Sequence, residues 1–134
     1  ERKSLWSALR DHIDSPIISN KSWIIFGDFN EILDIEEHSQ LENQPVVTSG
    51  MRDFQEAVHY CTLSDMVSHG PLFTWSNKRD HGLIMKKLDR VLVNEVWLQN
   101  YPMSYNVFEA GGCSDHLRCR INLTTVSEER GHER

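Results

Sequence analysis

Several polar residues stand where a reaction centre would need them. Asp28 and Asn30 follow the apolar run Trp23-Ile24-Ile25-Phe26 and Gly27, Asp89 lies early in the run Leu88 to Val93, and Asp115 and His116 follow the pair Gly111-Gly112. Each sits at or beside the end of an expected strand, where a rigid apolar segment can fix a polar group that faces a cleft. Asp89 alternates onto the same face as Val91 and Val93, and a carboxylate sharing an apolar face needs a partner. His116 can supply it, because a carboxylate on one imidazole nitrogen sets the tautomer and orientation of the ring. Plainer readings stand beside these. Gly27 to Asn30 also fits a strand followed by an Asx turn. Asp89 is an ordinary exposed residue if the face assignment slips by one, and Ser114-Asp115-His116 also fits a turn or cap.

The elements that must position these groups follow from periodicity. Leu5, Trp6, Leu9 and Ile13 recur at helical spacing before Pro16, which predicts an amphipathic helix over 2 to 14. Trp23 to Phe26 reads as a strand buried on both faces. Residues 34 to 50 lack periodicity and read as a surface loop. Phe54, Ala57, Val58 and Cys61 form a second helical stripe from Met51, with Ser49 as N-cap and Asp53 in the first turn. Leu72 to Trp75 and Leu88 to Val93 read as strands of one long hairpin whose polar turn is Asn77 to Gly82. Asn94 to Gln99 fits one or two helical turns, Ser104 to Glu109 and Leu117 to Leu123 are further strands, and the polar tail from Ser127 to Arg134 is expected to fray.

Composition bounds the possibilities. The chain has 134 residues, 39% hydrophobic and 25% charged, with a net charge of −6, which fits one domain-sized unit with a core. No apolar run approaches the ~18 residues of a membrane span. The acidic balance disfavours passive coating of nucleic acid, yet an enzyme that holds a cation with carboxylates can be acidic and still act on a phosphodiester. Three cysteines without CxxC spacing give neither a disulfide framework nor a zinc site and fit an intracellular setting. The chain opens Glu1-Arg2-Lys3-Ser4, which reads as a piece of something longer.

Taken in order, Trp23-Ile24-Ile25-Phe26-Gly27-Asp28-Phe29-Asn30, Phe73-Thr74-Trp75, Leu88-Asp89-Arg90-Val91-Leu92-Val93 and Ser114-Asp115-His116 resemble the endonuclease/exonuclease/phosphatase (DNase I-like) superfamily. The pattern is most similar to the apurinic-type endonuclease domain of plant LINE (non-LTR) retrotransposons. The resemblance spans about Trp23 to Leu123, matches the C-terminal half of the family domain, and implies residues 1–126 as that half. The implied fold class is α/β: half of a four-layered α/β sandwich, a mixed, mainly antiparallel sheet with helices on one face.

By resemblance, Asp28 would orient or deprotonate the attacking water and Asn30 would hold a phosphate oxygen. Asp89 would orient His116, which would stabilise charge on the phosphate, and Asp115 with Asp28 would hold magnesium or manganese. DNA is the implied partner. Thr74, Trp75, Lys78, Arg79, Lys86, Lys87 and Arg90 around the hairpin are the implied contacts, against the plainer reading of a solvated tip. The retrotransposon reading would place the protein in the nucleus. The family's first half carries an asparagine, a metal-binding glutamate and a catalytic tyrosine or histidine that have no counterpart here. Without that half the sheet would expose an apolar face, so dimerisation or association through it is expected. The alternatives are a non-catalytic retrotransposon remnant acting as an interaction module, or a phosphatase or phosphodiesterase acting on a small phosphoester.

Overall fold

The computed structural model describes residues 2–18, 20–41, 46–111 and 114–123. The expected tail and Gly112 lie outside these described residues. Helix α1 (Arg2–Asp14) and helix α2 (Ser49–Tyr60) form where the two apolar stripes predict them. The N-cap of α2 is Thr48, whose hydroxyl accepts the Met51 N–H at 3.2 Å. Ser49 is thus already helical and Asp53 falls beyond the first turn.

The strands are β1 (Ile24–Asp28), β2 (Ser64–Asp65), β3 (Ser68–His69), β4 (Trp75–Ser76), β5 (Met85–Lys86), β6 (Asp89–Val93), β7 (Tyr105–Glu109) and β8 (Arg118–Asn122), with helix α3 (Glu95–Asn100) between β6 and β7. They form sheets of order β1-β6-β2 and β3-β7-β8 and the ribbon β4-β5, all antiparallel except the β3-β7 pair. The mixed α/β class expected from the resemblance is therefore present.

The long hairpin is not. Strand β6 pairs with β1, placing Ile25 opposite Leu92, Phe26 opposite Val91 and Asp28 opposite Asp89, while β4 pairs only with β5. The cause lies at Thr74. Its hydroxyl accepts the N–H groups of both Leu88 and Asp89 at 3.0 Å, so the β4-β5 ladder cannot run on into β6.

Strand β6 separates two apolar layers. On one face Leu92 and Ile25 meet α1 and α2, with Trp6, Phe29, Phe54, Ala57 and Cys61. The Trp6 and Phe54 rings stack at 4.7 Å and Phe29 and Phe54 at 5.3 Å, an arrangement that adds to simple burial. On the other face Val91 and Val93 pack with Met66 and with Trp97 of α3, so the two long helices share one face and the short one covers part of the opposite face. Phe26 on that opposite face is 59% exposed. Strand β1 is therefore covered by α1 and α2 on one side, whereas on the other Ile24 packs against the Trp97 cluster and Phe26 is left open, contrary to the expectation of burial on both.

The segment expected as a featureless loop contains a 3-10 turn at Ile35–Glu37 and is tied into the sheet. Glu37 is buried against the equally buried Arg90 guanidinium at 2.6 Å. The next residue, His38, makes an antiparallel bridge with Lys86 of β5, flanked by Ser39 N–H to Met85 O at 2.9 Å and Lys87 N–H to Glu37 O at 2.8 Å. On the far side of the ribbon, Trp75 of β4 bridges His116, with Leu117 N–H donating to Thr74 O at 2.7 Å. Gly70 has φ +107, and a Cβ there would lie 2.2 Å from the Phe108 carbonyl oxygen, so the approach of the β3 end to β7 requires glycine. No helix of the described residues is long and apolar enough to cross a membrane. Cys61 and Cys119 are free thiols.

Candidate active site

The chain turns sharply after β1. Asn30 adopts φ 55, a left-handed conformation that asparagine tolerates, and its N–H donates to Asp28 Oδ1 at 2.8 Å. The Asx turn of the plainer reading is thus present, and it leaves the other oxygen, Oδ2, at 3.6 Å from His116 Nε2. The opposite nitrogen, Nδ1, lies 2.7 Å from Asp89 Oδ2. Asp28 and Asp89 are direct cross-strand partners, so their carboxylates lie on one face of the sheet with the imidazole between them. His116 itself is set by a small turn in which Ser114 Oγ accepts the His116 N–H at 3.1 Å and by the bridge to Trp75.

The electrostatics follow from that sandwich. Burial alone would lower the His116 pKa, but the Asp89 hydrogen bond and the charges of Asp89, Asp28 and Asp115 outweigh it and hold the ring above its ordinary 6.5. A donor at Nδ1 facing a carboxylate fixes the ring plane, while Nε2 is left toward Asp28 and the open face. This is an arrangement for placing a positive or polar N–H beside an anion and for moving a proton at Asp28.

Asp28, Asp89 and His116 present ligand atoms that all lie within 4.8 Å of one another. Carboxylate oxygens suit a hard divalent cation. Asp89 and Nδ1 are engaged with each other, so the donor set fits such a cation chiefly through the half-exposed Asp28. The structure does not bring Asp115 into this group. Its Oδ2 accepts the Trp75 indole N–H at 3.1 Å, so Asp115 braces the ring beside the site.

The remaining expected contacts divide by burial. Lys78 and Arg79 are exposed at the ribbon tip, and Lys86 and Trp75 are partly exposed, with the Lys86 ammonium 5.7 Å from the Trp75 ring centroid. Thr74, Lys87 and Arg90 are buried, contrary to the expectation that they stand on the hairpin surface. Thr74 is 1% exposed and holds backbone amides. Lys87 is 8% exposed, its Nζ donating to Asp89 O at 3.4 Å and lying over the Phe108 ring. Burial, then the Arg90 charge, lower its pKa. Arg90 is 1% exposed and paired with Glu37. All three side chains are buried and engaged within the protein. Sequence reasoning also passed over His38, whose place beside Lys86 depends on a pairing 48 positions apart (86 − 38) that no local pattern signals.

A cavity of about 360 Å³ opens beside His116, walled by Phe73, Trp75, Met85 and Leu117. An acid-flanked imidazole, an Asx-turn aspartate and an apolar recess next to them can supply a charged donor, a proton acceptor and room for the organic part of a ligand. No curated protein matches the chain. The family model of the Endonuclease/Exonuclease/phosphatase family matches residues 1–116, a stretch that includes Asp28, Asp89 and His116, and the chain belongs to that family, whose members hydrolyse phosphodiester or phosphoester bonds, typically with divalent metals.

Proposed function

We propose that the chain carries the hydrolytic centre of a metal-dependent DNA endonuclease of the LINE retrotransposon type, and that it corresponds to the C-terminal half of that domain. The observation that supports this most directly is His116 held between Asp89 and Asp28 on one sheet face. In this reading Asp89 orients the ring, and the imidazolium N–H at Nε2 donates to a phosphate oxygen as negative charge develops there. Asp28 accepts the proton of the attacking water. Asn30 holds a further phosphate oxygen, and Lys78, Arg79 and Lys86 contact neighbouring phosphates. Magnesium or manganese, held at Asp28, would supply Lewis-acid polarisation of the phosphate. Asp115 acts through Trp75.

The test is nicking of supercoiled plasmid by the purified chain with magnesium, with EDTA and His116→Ala as controls and an NMR spectrum to establish folding. Nicking lost in both controls is the expected result. A folded chain that never nicks refutes the catalytic reading and leaves the second one, a non-catalytic remnant or interaction module. One observation favours that second reading: Phe26, two residues from Asp28, is 59% exposed on the sheet face that α3 covers only in part, and exposed apolar surface can associate with a partner sheet or a second copy.

A further inference from the structure

Four segments distant in sequence meet side by side. His38 pairs with Lys86, Lys86 with Trp75, and Trp75 with His116, each as direct antiparallel partners. Directly opposed residues of antiparallel strands project to the same face. The four side chains therefore form one row across the strands, beginning at the imidazole flanked by Asp28 and Asp89 and ending at His38. Three strand spacings of ~4.8 Å make the row roughly 14 Å long, about four nucleotide rises at ~3.4 Å each along one strand.

The chemistry alternates along it: a ring flanked by carboxylates, a flat indole, an ammonium, then a second imidazole. Trp75 is held in place by Asp115 at its indole N–H and by Lys86 at its face, so its ring is preorganised. His38 Nδ1 accepts the Gln40 N–H at 3.1 Å, which puts the ring proton of the neutral form on Nε2 and makes that nitrogen a donor. Beside Lys86 and His38 lies a second cavity of about 310 Å³, which Asn30 and Glu31 also line.

We propose that the row His116, Trp75, Lys86 and His38 is a track for one nucleic-acid strand leaving the reaction centre, with Trp75 stacking on a base and Lys86 and His38 binding the phosphates beyond it. The track rests on the function proposed above and narrows it, because a small phosphoester would reach His116 and Trp75 and leave Lys86 and His38 untouched. Burial, then the charge of Lys86, lower the His38 pKa, so of these two His38 acts as a neutral donor and Lys86 releases the counterion.

The test is binding of the full chain to a thymidine dinucleotide and a thymidine tetranucleotide in EDTA, followed by NMR of the histidine ring protons and by titration at several salt concentrations. His38→Gln and Lys86→Met are each expected to weaken tetranucleotide binding about 5- to 10-fold, the loss of one good polar contact, and to change dinucleotide binding less than about 2-fold. Lys86→Met should also flatten the dependence of log affinity on log salt by about 0.7, the value for one phosphate on a single strand, and His38→Gln should not. Equal losses for both ligands, no loss for either, or an unshifted His38 ring proton in the tetranucleotide complex would overturn the track. The readout is separate from cleavage. A chain that binds through the row without nicking plasmid refutes the endonuclease reading alone, and one that nicks while both variants bind like the parent refutes the track alone.

Discussion

Replacing Thr74 with valine removes one oxygen and keeps the branched shape. That oxygen accepts two backbone N–H groups, from Leu88 and Asp89, at 3.0 Å each, in a side chain 1% exposed. An amide left without its acceptor in a buried place costs ~1–3 kcal/mol, so Thr74→Val, which orphans two, should lose about 2–6 kcal/mol of stability. Thr74→Ser keeps the acceptor and loses a methyl group, costing ~1 kcal/mol. The second consequence is positional: Asp89 opens β6 at the point where the hydroxyl holds it, so the valine variant should loosen the Asp89–His116 pair. Urea unfolding with a common slope measures the first effect, and titration of the His116 ring proton measures the second. Valine and serine variants of equal stability, with the same His116 titration, would refute the assignment of Thr74 as the clamp at the start of β6.

Further outcomes follow from the same contacts. The His116 ring should titrate above 6.5 by NMR, and Asp89→Asn should bring it down. Because the folded pKa is raised, the protonated ring stabilises the fold fully below the unfolded value, and that contribution is lost as pH rises through the folded pKa. Glu37→Ala should destabilise by ~3–5 kcal/mol in thermal denaturation, because it leaves the Arg90 charge buried with only the more distant Asp65 and takes the acceptor from the Leu33 and Asp34 N–H groups. Phe54→Ala, at a ring 0% exposed and stacked on both Trp6 and Phe29, should cost ~3–5 kcal/mol by chemical denaturation.

Both long helices and the Asp89–His116 pair were legible in the sequence because their signals are local or logical. Trp6 and Leu9 repeat with the helical period, and a carboxylate alternating with Val91 and Val93 demanded a partner. The pairing of β6 with β1 was not legible, since 61 positions separate Asp28 from its partner Asp89 (89 − 28) and period-two alternation says nothing about which strand lies alongside. Two-residue strands such as β4 and β5 carry too little pattern to bound. Arg90 and Lys87 looked like surface cations by residue type. Arg90 is inside because Glu37, on a segment with no periodicity, comes in to neutralise it, and Lys87 because its ammonium finds the Asp89 carbonyl and the Phe108 face.

The central place of β6 also sets an order of events during synthesis. The apolar faces of α1 and α2 close over Leu92, yet 33 residues separate the end of α2 at Tyr60 from the end of β6 at Val93 (93 − 60). At ~5–20 residues per second the ribosome needs roughly 2–7 s to cover that interval. Until then Trp6, Phe29 and Phe54 lack the strand they pack against, and β1 has no partner on the side that β6 will occupy. The nascent chain thus passes through a window of seconds in which its own centre has yet to be made, and a helix pair with an open apolar face is the form that a chaperone would meet.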